Sequence, residues 1–351
     1  MSEGALAGVR VLDFSALVPG PLATLMLAQA GAEIIKVERP PEGDTLRQRA
    51  ADFAMLNAGK RSVFVDLKNE ADKARLLPLI DAADVLIEQF RPGVMDRLGL
   101  GAATLRARNP RLIYCSINGY GSHGPNALKV GHDLTYAAES GLLMQSADRN
   151  GAPVMPATMI ADIGGGTYPA LMNILLALYA RERTGQGAAI EIAMADGLAP
   201  FLQPAYASAF GRGHWPLPGD AIETGASPRY ALYEAADGRW IAAAPVEPAF
   251  WRNFCLVIGL PELVDADPEN DAQSKRTIAA RLKERASAEW LALFEGKDTA
   301  CSLVKTFEEA MAGRSHADEA LPLPVAAALR AGPLCPASPV GRAGAIGDWG
   351  C

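Results

Sequence analysis

The chain has 351 residues, 21% of them charged and 50% hydrophobic, and its 33 Lys and Arg against 40 Asp and Glu leave a formal charge of −7. That composition fits a compact chain of about two domains, and its sign excludes general affinity for nucleic acid, whose binders cluster positive charge. Cys115, Cys255, Cys301, Cys335 and Cys351 show no C-x-x-C spacing, so neither a disulfide framework nor a metal site is expected, and a reducing, cytoplasmic setting is the reading.

In chain order, residues 9–14 read as a buried strand, 15–21 as a loop, 22–30 as a helix stopped by Gly31, and 33–38 as a second strand. Such a unit folds as a parallel pair with a right-handed crossover. The pattern continues with strands at 62–66, 84–89 and 112–118, a helix over 70–82 and another reaching Arg108. Residues 170–182 are helical with apolar side chains nearly all round, which predicts a buried helix, and a strand follows at 189–193. The longest apolar stretch, from Tyr168 to Tyr179, is too short to span a bilayer, and no basic, apolar leader opens the sequence, so no membrane partner is expected. After Pro200 the periodicity lapses, and residues 200–228 read as a linker or ordered crossover. Residues 230–233 and 240–244 then flank Asp237-Gly238, which supplies the positive φ of a tight hairpin turn. Helical segments fill 248–311, and the tail from Leu321 is rich in Ala and Pro. The expected fold class is α/β: a large Rossmann-like parallel-sheet domain over 1–199 and a smaller α+β domain over 229–320.

Chemistry concentrates in two segments. Gly131-His132-Asp133-Leu134-Thr135-Tyr136 holds one of only four histidines, and Ala161-Asp162-Ile163-Gly164-Gly165-Gly166 places an acid thirty positions further on. An imidazole is a base near neutrality at its ordinary pKa and a carboxyl becomes one when shielded, so the two fit opposite faces of one carbon. Each has a plainer reading: His132 as a hydrogen-bonded structural histidine, Asp162 as a cap of the helix after it, Glu247 ahead of Pro248 as an acid facing a helix dipole. Arg39, Lys60, Arg61, Lys68, Arg91 and Arg97 fall near predicted strand ends, where ligands of open α/β sheets bind, or are solvated surface charges. The loop Val18-Pro19-Gly20-Pro21 lacks the three-glycine spacing of a dinucleotide site, although Glu38 follows at a suggestive distance. No cysteine carries a nucleophile motif, Ser15, Ser116 and Ser122 lack the G-x-S-x-G elbow, and His123 sits in a loop with no catalytic role assigned.

The segments Val9-Arg10-Val11-Leu12-Asp13, Lys36-Val37-Glu38-Arg39-Pro40, Val65-Asp66-Leu67-Lys68, Arg91-Pro92-Gly93-Val94 and Gly185-Gln186-Gly187 resemble, in order, those of the class III CoA-transferase (CaiB/BaiF) family. The His132 hexapeptide, the Asp162 run and Val246-Glu247-Pro248 are similar to its alpha-methylacyl-CoA racemase branch. The resemblance implies His132 and Asp162 as the two bases of a 1,1-proton transfer at the α-carbon of a 2-methylacyl-CoA, with Glu247 of a partner chain orienting the imidazole. It implies Arg39 and Arg97 on the CoA phosphates, and Val65, Asp66, Leu67, Lys68, Gln89, Phe90, Arg91, Pro92 and Gly93 along the adenine and pantetheine path. Gly131, Asp133 and Tyr136 would lie beside the same ligand. It further implies an interlocked homodimer, a segment over 321–351 that returns to the large domain, and no separate cofactor, since coenzyme A is part of the acyl-CoA substrate. Main-chain amides from Gly164 onward, or of a nearby turn, would stabilise the enolate. The alternative is CoA transfer between carboxylic acids through an Asp162 adduct, which leaves His132 and Glu247 without a task. A non-catalytic CoA-binding protein leaves all three unexplained.

Overall fold

The computed structural model describes residues 4–145, 151–266, 271–312 and 341–342. The chain divides into two compact units: Met1–Ser140 with Pro156–Pro200 and Glu319–Cys351, and Gly141–Met155 with Phe201–Asp318.

In the first unit, β1 (Arg10–Phe14), α1 (Pro19–Gln29), β2 (Glu33–Glu38), α2 (Ala50–Asn57), β3 (Arg61–Phe64), α3 (Glu70–Asp81), β4 (Val85–Glu88), α4 (Val94–Arg97), α5 (Ala102–Arg108) and β5 (Ile113–Asn118) follow one another. Next come α6 (Asp133–Glu139) and the short α7 (Leu142–Gln145), which belongs to the second unit. A π-helical turn, Ala161–Thr167, then runs into α8 (Tyr168–Thr184), and β6 (Ala189–Ala193) completes the series. The strands are all parallel in the order β3-β2-β1-β4-β5-β6, so strand order reverses beside β1, as in doubly wound folds. Val11, Leu12, Val85, Leu86 and Ile87 are fully buried, as central strands covered on both faces must be. Local signals set the helix ends: Pro19 lies in the first turn of α1, Asn69 accepts from the amides of Ala71 and Asp72 to cap α3, and Gly185 closes α8 at a φ of 69°.

Under the C-terminal ends of β1 and β2 lies a buried network of charge. Asp13 accepts from the hydroxyls of Ser15 and Thr24 and pairs with Lys60 at 3.2 Å. Lys60 also donates to Pro21 O at 2.8 Å and Asn57 Oδ1 at 2.9 Å, while Lys36 donates to Ser15 O at 2.7 Å and pairs with Asp44 at 3.0 Å. Glu38 accepts twice from Arg47, at 2.6 and 2.7 Å, and the guanidinium sits 4.1 Å from the Phe53 ring centroid. Lys60 therefore serves the fold rather than the surface position its place near a strand suggested, and Arg61 is paired with Glu33 at 3.6 Å.

The second unit holds α9 (Gln203–Arg212), β7 (Ala231–Glu234), β8 (Trp240–Ala243), α10 (Pro248–Val257), α11 (Asp271–Leu282), α12 (Ser287–Phe294), β9 (Cys301–Leu303) and α13 (Phe307–Ala312). Its strands form an antiparallel sheet, β7-β8-β9, with Gly238 at a φ of 77° in the hairpin turn. Trp251, Phe254, Ile278, Trp290 and Phe294 form its core. β9 is too short to show a period in sequence. β10 (Gly341–Arg342) pairs parallel with β3 and adds a seventh strand to the large sheet; the rest of the tail expected over 321–351 lies outside the described residues.

Residues 200–228, read as a linker or ordered crossover, contain α9, bounded by Pro204 in its first turn and by Gly213 at a φ of 76°. Two expectations need correction. The helical run expected over 248–311 is interrupted by the strand β9. α8 is not buried all round. Ala170 and Ile174 pack inward, but Met172 is 58%, Leu176 60% and Tyr179 68% exposed, because among the described residues only one side of the helix is packed. With the π turn it spans Ala161–Thr184, 24 residues that by length and composition are long and apolar enough to cross a membrane. The sequence stretch looked shorter because the glycine run before it is helical rather than a loop. Arg181, buried near its C-terminal end, pairs with Asp84 at 2.8 Å ahead of β4.

Candidate functional site

The chain leaves β1, β2, β3, β4 and β5 at one edge of the first unit, through residues 15–18, 39–44, 65–69, 89–93 and 119–132. Ligands of open parallel sheets bind at that edge, where strand order reverses. The first turn of α1, however, is closed to anions. Pro19 and Pro21 have no N–H, the Gly20 amide donates to Gln89 Oε1 at 2.9 Å, and the Leu22 amide to Val18 O at 2.9 Å. A dinucleotide fold leaves such amides to a pyrophosphate, and Glu38, which would hold a ribose, is locked to Arg47. The topology thus comes without the nucleotide-phosphate turn. Arg39, Lys68, Arg91 and Arg97 are exposed on the same edge, Val65 is buried, and Asp66, Leu67, Gln89, Phe90, Pro92 and Gly93 are half-buried. Gly93, at a φ of 76°, lets Arg97 fold back over it: a Cβ there would sit 3.2 Å from the guanidinium.

His132 ends the loop after β5 and sits in extended backbone at the start of α6. Thr135 Oγ1 accepts from the His132 amide at 2.9 Å and donates to His132 O at 2.8 Å, which fixes the backbone and leaves the imidazole exposed. Tyr136, expected beside the ligand, is buried. Its ring lies against Gly131, where a Cβ would approach it to 2.4 Å, and its hydroxyl donates to Gly131 O at 2.7 Å. That ring shapes the turn ahead of His132.

Asp162 lies in the π turn, half-buried, and makes no capping bond to its own helix. The turn is held instead by Asp133, whose Oδ1 accepts from the amides of Ala161 at 2.7 Å and Asp162 at 2.9 Å. Segments thirty positions apart are joined by this contact. The glycine run answers to packing: a Cβ at Gly165 would lie 2.3 Å from Met194 O, and one at Gly197 2.2 Å from Gly165 O. Thr167 Oγ1 donates to Pro19 O at 2.9 Å and anchors the turn to α1. Burial and the nearby Asp133 charge push the Asp162 carboxyl up to about 6, against the lowering effect of His132. The acid and the imidazole are therefore within electrostatic reach of each other, and such a carboxyl can take or give a proton near neutrality.

Glu247 belongs to the second unit. It precedes α10 with its side chain exposed and makes no capping hydrogen bond, so the helix does not occupy its carboxylate. Among the described residues, no group of three or more His, Cys, Asp or Glu is placed to hold a metal ion. Sequence reasoning did not find the Asp133 brace or the Gln89 seal on α1. Neither has a motif, since each depends on a contact between distant segments.

The family pattern described as CoA-transferase family III matches residues 6–327. The chain is 36% identical over 312 residues to alpha-methylacyl-CoA racemase of Homo sapiens, covering 87% of this chain and 79% of that protein. It is 36% identical over 306 residues to acetyl-CoA:oxalate CoA-transferase of Acetobacter aceti, covering 82% and 78% respectively. Among solved structures, Rv3272 from M. tuberculosis is similar with a TM-score of 0.78 and 33% identity, over 88% of this chain and 85% of that one.

Proposed function

The chain belongs to CoA-transferase family III, and from that premise we propose that it racemises 2-methylacyl-CoA thioesters by a 1,1-proton transfer at the α-carbon. The observation that carries this reading is the contact of Asp133, the residue after His132, with the turn that bears Asp162, whose carboxyl is pushed up to about 6. The thioester carbonyl acidifies the α-carbon. One group removes its proton, the enolate forms, and the other group returns a proton to the opposite face; the roles exchange with substrate handedness. Glu247 of a second copy orients the imidazole, as the third member of a catalytic triad does.

CoA transfer is the rival reading, and a transferase relative is as similar in identity as the racemase. A nucleophilic carboxylate works best fully ionised and gives His132 nothing to do. A carboxyl with raised proton affinity beside an imidazole suits proton traffic. Incubating one enantiomer of a 2-methylacyl-CoA in heavy water tests the choice: deuterium should enter the α-carbon as optical purity is lost. No exchange, with labelled CoA passing to an added carboxylate, establishes the transferase instead.

Arg39 and Arg97 meet the CoA phosphates in this reading. Arg39→Ala and Arg97→Ala should each weaken CoA binding by about tenfold or more, as lost charge-assisted contacts do, with the thermal midpoint unchanged. Calorimetry showing wild-type affinity for either variant removes that residue from the site.

The exposed apolar face of α8, with Tyr168, Met172, Leu176 and Tyr179, is covered by a second copy of the chain in this proposal. Sedimentation at low protein concentration should give a single dimer species, and a stable, active monomer would exclude it.

A further inference from the structure

We propose that Asp133 is the positioning residue of the acid–base pair, fixing the turn that carries Asp162 through two main-chain hydrogen bonds while setting its own charge beside that acid. The inference rests on the reading of Asp162 as a proton-transfer group. Asp133 follows His132 directly, so α6 places the imidazole and the brace for the opposing acid on consecutive residues. The two amides it accepts from, Ala161 and Asp162, open the π turn, where a helix leaves its N–H groups without internal partners. The turn behind them contains Gly164, Gly165 and Gly166, which hold backbone conformation weakly by themselves. Its far end is fixed by Thr167 on Pro19 and by the close approach of Gly165 to Gly197, so Asp133 secures the end that bears the acid.

Among the described residues, the ionisable groups that face Asp162 are Asp133, His132 and Tyr136, all from the α6 segment. From α1 and the chain after β6 the turn meets Pro19, Met194 and Gly197, which do not titrate. Removing the Asp133 charge should therefore let Asp162 ionise at lower pH, and removing its oxygens as well should let the turn shift.

Asp133→Asn keeps the acceptor without the charge, and Asp133→Ala loses both. For Asp133→Ala we expect kcat to fall about 100-fold, the loss that an ångström-scale misplacement brings, with KM for the CoA ester within about threefold of wild type. Asp133→Asn should recover kcat to within about tenfold of wild type, the scale of a single charge–charge contact. Its acid limb and the carbon-13 carboxyl resonance of Asp162, assigned by difference against Asp162→Asn, should both titrate at lower pH. If Asp162 titrates in Asp133→Asn as in wild type, or if Asp133→Ala keeps wild-type kcat, the proposal fails. The carboxyl titration needs no turnover, so it decides the role of Asp133 even where absence of α-proton exchange by the wild-type enzyme has removed the racemase reading.

Discussion

Asp162→Asn is expected to stop inversion of a 2-methylacyl-CoA in both directions, with a fall in rate of about 10³-fold, the scale of a positioned acid–base group. His132→Ala should do the same, because inversion needs a proton acceptor on one face and a donor on the other. Exchange without inversion separates the two. With Asp162 gone, His132 can still withdraw and return a proton on its own face, so one enantiomer should exchange its α-proton for deuterium and keep its configuration; with His132 gone, the other enantiomer should do so. The wild-type pH profile carries the same asymmetry. Burial and Asp133 place the Asp162 carboxyl at about 6. In the direction where Asp162 acts as the base it must be ionised, so kcat/KM falls as pH drops through about 6; in the reverse direction it must carry the proton, so the rate falls as pH rises through that value. Chiral chromatography with mass detection of deuterium reads all of these outcomes. If both variants retain inversion, or if hydroxylamine traps a CoA adduct on Asp162 while no α-proton exchanges, the two-base mechanism is wrong.

The alternation of strand and helix through the first unit was legible because each strand is a short apolar run bounded by Gly, Pro or Asn, and parallel strands buried on both faces read that way. Helix ends were legible where a residue enforces them, as Gly185 does for α8. α9 and β9 were not: one is bounded by the residues that usually signal loops, and the other is three residues long. The exposure of α8 was also hidden, since apolar residues all round a helix do not report which of its faces pack within the fold. His132 and Asp162 stood out as residue types beside glycines. Their bracing by Asp133 did not, because a carboxylate bonded to two main-chain amides 28 and 29 positions away has no signature along the chain. Lys60 shows the opposite error: a lysine beside a strand looks like a surface charge until the acid facing it is known.

Lys60→Met should therefore cost stability and not ligand affinity. Methionine keeps most of the stem but removes the ammonium that pairs with Asp13 at 3.2 Å and donates to Pro21 O and Asn57 Oδ1. Both side chains are fully buried. Burial pushes the Lys60 amine down to about 8 while Asp13 holds it up; burial raises Asp13, but Lys36 and Lys60 together with its hydroxyl donors hold it well below the usual carboxylate range. Breaking a buried pair by deleting one partner costs about 3–5 kcal/mol, since the remaining charge stays in a medium that solvates it poorly. Lys36 still faces Asp13, which sets the expected loss at the lower end of that range. The sign with pH follows. The stabilisation from a depressed Asp13 is complete above its unfolded value of about 3.9 and fades as pH falls through its folded value. In Lys60→Met the folded value rises, so Asp13 is relieved by protonation sooner, and the stability gap to wild type should be wide at pH 7 and narrower at pH 4. Between about 8 and the ordinary lysine value near 10.5, wild type gains stability with pH because the unfolded chain binds the extra proton, and the variant should lose that slope. Denaturant unfolding at several pH values measures each of these. An unchanged midpoint together with a raised KM for the CoA ester would return Lys60 to the ligand site.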